Sequence, residues 1–238
     1  MNDETLEERP ASVGCRKKDV FRKYYRFADG SVALDELRKS VAAFSAGVSC
    51  PEPLGVGFSE DIGMHYCDFR YHAFERLDAC DLSSTDWAFL QEQLSLIHAA
   101  RIDGIRGDWQ DYLERNSVWV ERLPQEIRAE MNEGMDRLRK MAVTCFSHCD
   151  FSLANMARDQ ETGRIMIFDF QDACVAVPGW DWAYFLASIP WECAARFSPD
   201  ACTVELIRIA SAIKLARGLR KGKDLSSRLR IFNHWWRA

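Results

Sequence analysis

The stretch from Cys145 to Ala187, CFSHCDFSLANMARDQETGRIMIFDFQDACVAVPGWDWAYFLA, constrains the chain more than any other. Within it RIMIFDF, residues 164–170, reads as a buried strand running into an acid, Asp169. A carboxylate there sits where burial is expensive unless it is paired or metal-bound. Upstream, His148, Asp150 and Asn155 fall within eight residues, and Asp172 follows Asp169 closely. These residue types suit phosphoryl transfer. One carboxylate orients and deprotonates a hydroxyl, while an amide oxygen and a second carboxylate hold magnesium against the phosphates of ATP. A hard cation takes such oxygen ligands, and no thiolate cluster competes for it.

Around this stretch the hydrophobic period changes several times. Residues 1–18 are polar and expected to be loose, and residues 19–27, DVFRKYYRF, carry the β-favouring bulk of a strand in Val20, Phe21, Tyr24, Tyr25 and Phe27. Asp29-Gly30 reads as a turn, and Leu34, Leu37, Val41 and Phe44 fit one stripe of a helix over 32–45 that ends at Gly47. Pro51 and Pro53 force an extended segment, followed by a hairpin of strands 54–58 and 64–76. Helices are expected over 85–100, on Trp87, Leu90, Leu94 and Ile97, near 108–121, and over 125–143, on Ile127, Met131, Met135, Leu138 and Met141. Asp159 to Gly163 forms the turn before the 164–170 strand, and helices resume at about 181. The order is a small strand-rich part over 1–80 and a larger helical part with a short sheet over 81–238, the boundary lying near 76–82. The fold class is therefore α+β.

Charge and cysteines narrow the function classes. Lys and Arg number 31 against 36 Asp and Glu, whereas a protein living on nucleic-acid phosphates is usually basic. The nine cysteines are an odd count with no CxxC pair, which argues for a reducing compartment and against a disulfide framework or a zinc ribbon. The segment MNDETLEERP does not read as a secretory signal, and no run of eighteen apolar residues exists to span a membrane. A cytoplasmic protein, monomeric or weakly dimeric, is the expectation.

Four segments resemble a known family. HCDFSLAN resembles the catalytic loop H-G-D-x-x-x-x-N of the aminoglycoside and choline phosphotransferases, part of the protein-kinase-like superfamily. IFDFQDA is similar to their metal strand, VPGWDWAYFLA to the G-D-P-x-x-D-L-A that follows, and SLIHAA at 95–100 to the L-x-x-L-H-A helix end. The DFQDA form is especially similar to bacterial cell-wall amino-sugar kinases of this group. The resemblance implies a two-lobed protein-kinase-like fold with a shortened N-terminal lobe and a mainly helical C-terminal lobe. It implies Asp150 as catalytic base, Asn155 and Asp169 as magnesium ligands, and His148 as a structural residue of the loop. It further implies Asp172 as an aid to metal or substrate and Asp181 as the tie between a helix start and the catalytic loop.

In the first lobe the resemblance aligns VFRKYY with the strand that carries the ATP-contacting lysine. Lys23 then takes that role with Glu36 thirteen residues on, a pair that positions phosphates. Arg22 or Lys18 could replace it, and in another register RKYYR resembles the preceding strand and the lysine position is lost. The usual fold has two strands and a phosphate-covering loop before the lysine strand. Here about 19 residues precede it, so the covering loop is expected to be shortened, altered or absent. Cys149 replaces the loop's usual glycine, Ala154 precedes Asn155, and VAVPGWDW lacks the acid of the G-D-P step.

Acceptor contacts are expected after the metal strand, with Trp180, Trp182, Trp191, Glu192 and Asp200 as candidates. Residues 204–238 carry nine Lys or Arg and two acids, with His234, Trp235 and Trp236 near the end. Such a helix is either a solvated face with its tryptophans on the core or a contact for phosphate or membrane surfaces. The expected function is an ATP- and magnesium-dependent kinase acting on a hydroxyl of a sugar, amino sugar, aminoglycoside or choline-like alcohol. A catalytically silent kinase-like binding protein and a minimal protein kinase are the alternatives.

Overall fold

Residues 12–17, expected to be loose, form strand β1 (Ser12–Lys17), which pairs antiparallel with β2 (Val20–Tyr25). β1 is largely exposed and has no apolar alternation to announce it. Its order comes from backbone pairing across the two-residue turn at Lys18 and Asp19, where Lys18 takes a left-handed φ of 58°. The computed structural model describes residues 12–26, 30–102, 108–121, 123–194, 197, 201–220 and 226–237. Phe27, Asp29 and Asp200, all named above, lie outside these residues.

Strands β3 (Pro53–Ser59) and β4 (Met64–Arg70) complete an antiparallel sheet of order β1-β2-β4-β3. Alternation along β2 sorts its basic residues onto opposite faces. Arg22 makes two 2.7 Å hydrogen bonds to Asp68 and lies 3.5 Å above the ring of Tyr66. Lys23 points the other way, toward helix α1 (Ser31–Ser45).

Helix α1 inverts the expectation drawn from its apolar stripe. Leu34, Val41 and Phe44 are exposed, and the buried residues are Ala33, Asp35, Glu36, Lys39, Ser40 and Ala43. The polar face turns inward because its charges are paired there. Glu36 meets Lys23, and Lys39 lies 2.6 Å from Asp35 and donates to the Gln171 carbonyl at 3.0 Å. Gly47, with φ 87°, supplies the left-handed residue that ends the helix.

The strand expected over 64–76 splits. After β4 the chain changes sheets, and β5 (Phe74–Arg76) pairs with β7 (Met156–Asp159), which in turn pairs with β8 (Ile165–Ile167). Two backbone bonds fasten the connection: Tyr71 N–H to the Asp19 carbonyl and Gln160 N–H to the Ala73 carbonyl, both 2.8 Å. Beyond it come helices α2 (Ser84–Ala99) and α3 (Trp109–Val120). Each opens with a capping box, Ser83 with Asp86 and Asp108 with Asp111. Helix α4 (Gln125–Lys140) stops before the expected 143, and β6 (Cys145–Ser147) pairs with β9 (Cys174–Ala176). Helices α5 (Trp180–Leu186), α6 (Trp191–Ala194), α7 (Ala201–Arg220) and α8 (Ser226–Arg237) follow. Among the described residues no helix is long and apolar enough to cross a membrane.

The expected strand 164–170 is also shorter than its apolar run. β8 ends at Ile167, and Asp169 adopts a left-handed conformation (φ 69°, ψ 60°) before a 3-10 turn, Phe170–Asp172. In a continuous strand Asp169 would share the buried face of Ile165 and Ile167. The left-handed residue breaks that alternation, and the Asp169 side chain is 43% exposed.

The main core lies in the helical part. Trp180 is fully buried, its ring 5.2 Å from Trp109 and 5.9 Å from Tyr112. Trp182 packs on Trp87, Phe185 and Phe197. Burial in this aromatic cluster takes Trp180 away from any ligand, whereas Trp182 is only partly buried in it. Trp180→Ala is expected to cost about 3–5 kcal/mol in urea denaturation, the range for emptying a large aromatic site. Trp191 stacks on His234 at 4.8 Å and Glu192 is exposed. Trp235 is buried and Trp236 packs against the core, so the last helix uses its tryptophans for docking.

Candidate active site

A cavity of about 470 Å³ opens between the four-stranded sheet and β8. Phe21, Phe69, Phe74 and Phe168 line it, and Lys23 and Asp169 stand among its polar wall residues. A mostly apolar cleft with a few convergent charges is the usual form of a small-ligand site.

Lys23 is the hub of the polar group. Its Nζ donates to both Glu36 oxygens at 2.9 and 2.8 Å and to Asp169 Oδ1 at 2.8 Å. The Tyr25 hydroxyl donates to Glu36 Oε2 at 2.6 Å. Burial works against the Lys23 ammonium, yet Glu36 and Asp169 outweigh it and hold its pKa above the ordinary lysine value. Burial likewise works against the Asp169 carboxylate, and Lys23 outweighs it, so that pKa is lowered. Of the three basic residues named for this position, Lys23 alone joins these carboxylates: Arg22 faces Asp68, and Lys18 sits in the hairpin turn.

The loop after β6 is fixed from several sides. Asp181, at the first turn of α5 and fully buried, accepts from the backbone N–H of His148 and of Cys149, each at 2.8 Å. His148 Nε2 lies 3.0 Å from the Phe168 carbonyl, so the ring donates there, and its Nδ1 accepts from Asp150 N–H at 3.3 Å. That contact ties the loop to the segment carrying Asp169. Cys149 has φ 63°, a left-handed conformation that glycine adopts without strain, and its carbonyl accepts from the Tyr112 hydroxyl at 2.9 Å. Its buried thiol packs 3.5 Å from that of Cys174. Asp181→Ala would strand both buried N–H groups. We expect a loss of about 1–3 kcal/mol for each in urea denaturation, and a smaller loss for Asp181→Asn, which retains one acceptor oxygen.

Asn155 closes a 3-10 turn (Leu153–Asn155), and its Nδ2 donates to the Asp150 carbonyl at 2.9 Å. With the nitrogen so held, the amide oxygen is the end left for a ligand. Among the described residues no three His, Cys, Asp or Glu side chains gather as a metal cage. The donors at hand are the Asn155 amide and the half-exposed Asp169 carboxylate, hard oxygens that fit a magnesium ion retaining waters and substrate oxygens as ligands.

Asp150 is partly exposed and has Arg217 Nη1 4.0 Å from its Oδ1. Asp172 is placed on the same side. It is held by Arg217 Nη2 at 3.2 Å and Arg115 Nη2 at 3.4 Å. Arg217 also donates to the Tyr184 hydroxyl at 3.0 Å, and Lys214 Nζ lies 4.0 Å from the centre of the Tyr184 ring. Sequence reasoning missed Arg115, Tyr184, Lys214 and Arg217. A signal was present: Lys214 and Arg217 are three apart, hence on one helix face, in a segment whose Ile213, Leu215 and Ala216 are buried. Charges in so apolar a helix are expensive without a task or a partner.

Comparison with known proteins gives the chain a family and a fold. The sequence profile described as "Phosphotransferase enzyme family" (APH) matches residues 24–202. A search of curated protein sequences found no match. Among solved structures, a choline/ethanolamine kinase family protein from Mesorhizobium loti superposes with a TM-score of 0.64 at 14% identity, over 95% of this chain and 83% of that one. Choline kinase LicA from Streptococcus pneumoniae gives 0.63 at 14% identity, over 97% and 90%. An aminoglycoside 2'-phosphotransferase-IIIa bound to GDP gives 0.61 at 15%, over 97% and 90%. The two-lobed α+β fold is thus the protein-kinase-like fold of these enzymes, and the profile match over most of its length shows that the chain belongs to the phosphotransferase enzyme family.

Proposed function

We propose that the protein is an ATP- and magnesium-dependent phosphotransferase that acts on a hydroxyl of a small molecule. The observation that carries this reading is the Lys23 ammonium, held by Glu36 and Asp169 at the polar wall of the cavity. Related structures support it, since they hold GDP, AMP or ADP, and two of them kanamycin or hygromycin B as well.

In this reading the aromatic walls take the base, and Lys23, kept in place by Glu36, contacts the phosphates. Asn155 and Asp169 hold magnesium, which when bound offsets charge on the transferring phosphoryl group. Asp150 orients the acceptor hydroxyl and accepts its proton as the new oxygen–phosphorus bond forms and ADP departs. His148 and Asp181 position the loop that presents Asp150 and Asn155.

The test is incubation with magnesium and ATP against a panel of small alcohols, followed by phosphorus NMR. The expected result is ADP and a phosphomonoester in equal amounts, formed only with a suitable acceptor. Intact ATP with every alcohol, or phosphate appearing only on added protein, would contradict the proposal.

A further inference from the structure

Around Asp150 the structure gathers cations. Arg115, Lys214 and Arg217 meet two carboxylates, Asp150 and Asp172, so the group carries one positive charge in excess when Lys214 is protonated. Both arginines share Asp172, so that carboxylate already faces two cations. Arg228 adds charge behind, donating to the Lys214 carbonyl at 2.7 Å. The Lys214 ammonium has no hydrogen bond or ion pair among the described residues; its contact is the Tyr184 ring.

We propose that the acceptor alcohol carries an oxyanion, a carboxylate or a phosphate, which Lys214 binds together with Arg217 and Arg115 beside Asp150. This rests on the phosphotransferase reading for the word acceptor, but the anion site stands on its own geometry. A half-buried ammonium with no carboxylate in ion-pair contact among the described residues is an incomplete ion pair, and an arriving oxyanion completes it. The guanidinium of Arg217, spread between Asp172, Tyr184 and Asp150, can turn a fork toward the same anion. Burial pushes Lys214 down to about 7 with Asp150 opposing it, the state of a lysine awaiting a counter-charge. Polycationic acceptors meet repulsion here, since three cations already face the two carboxylates.

Two measurements test this and separate it from the phosphotransferase reading. The first is thermal stabilisation by inorganic phosphate and by gluconate, at constant ionic strength, of the native chain and of Lys214→Met, a replacement of similar length that suits a half-buried site. We expect a concentration-dependent rise in Tm in the native chain that is lost in the variant, with no nucleotide required. The anion giving the larger rise identifies phosphate or carboxylate as the group bound. No rise, or an equal rise in Lys214→Met, overturns the proposal whatever the enzyme does with ATP. The second is phosphorylation of a matched set: glucose, glucosamine, gluconate and glucose 6-phosphate. An anionic member is expected to be preferred, with its KM raised about tenfold or more in Lys214→Met, equivalent to roughly 1.4 kcal/mol. Turnover of glucosamine in preference to both anions overturns the proposal while leaving the phosphotransferase reading intact. Anion binding at Lys214 without any turnover would instead refute the phosphotransferase reading alone.

Discussion

Asp150→Asn is expected to lower kcat by about 10²–10⁴-fold, the range for losing a positioned general base. The amide keeps the size of the side chain and its partial exposure, and the ion pair it removes is a long one, 4.0 Å to Arg217, which still has Asp172 and Tyr184. Stability by urea denaturation should therefore stay within about 0.5 kcal/mol of the native value, as for substitutions away from buried networks. ATP affinity should also be little changed, because Lys23 and Asp169 are untouched. A variant with near-native kcat would remove Asp150 from the chemistry, and one that unfolds would contradict the stability expected of it.

Lys23→Met is expected to damage both fold and turnover. It leaves the Glu36 carboxylate, 2% exposed, with the Tyr25 hydroxyl and, among the described residues, no cation. Breaking one side of a buried ion pair costs about 3–5 kcal/mol, and urea denaturation reads it. Loss of the phosphate contact should also lower kcat/KM for ATP by about 10²-fold, the scale of misplaced reactants. A second substitution separates the effects. Adding Glu36→Gln removes the stranded charge while keeping an acceptor for Tyr25, so stability should recover in part and turnover should not. Full recovery of both would reduce Lys23 to a structural ion pair.

The residues that sequence alone exposes most clearly are those in short, chemically dense runs. His148, Asp150, Asn155 and Asp169 lie close together in the chain, and local hydrogen bonds bring them into one region. Lys23 and Glu36 are legible through their spacing of thirteen positions, one on β2 and the other in the second turn of α1. The 3.6-residue period of Trp87, Leu90, Leu94 and Ile97 likewise marks a helix face that is buried.

What escaped depends on partners far away in sequence. The apolar stripe of α1 points outward because the inward face is occupied by ion pairs and a bond to Gln171, a contact 132 residues distant. Strand β1 has no periodic signal, since pairing with β2 orders it. The left-handed turn at Asp169 is a property of one residue that an apolar run conceals. Arg217 looks like a surface charge of a basic helix until α7 is packed against α5, when it meets Asp172, 45 residues back in the chain. The fold class and the hydrogen-bonded loop at 148–155 were thus readable, whereas the cations near Asp150 and Asp172 were not, because they gain meaning only from tertiary contacts.

The central claim is that Asp169 and its neighbours bind ATP through magnesium. Calorimetry of ATP binding to the native chain and to Asp169→Asn, with and without magnesium, tests it most directly. The account predicts binding by the native chain that strengthens with magnesium, and a loss of that gain in Asp169→Asn by about tenfold or more, roughly 1.4 kcal/mol. ATP affinity indifferent both to magnesium and to Asp169→Asn, or no binding by the folded native chain, would contradict it.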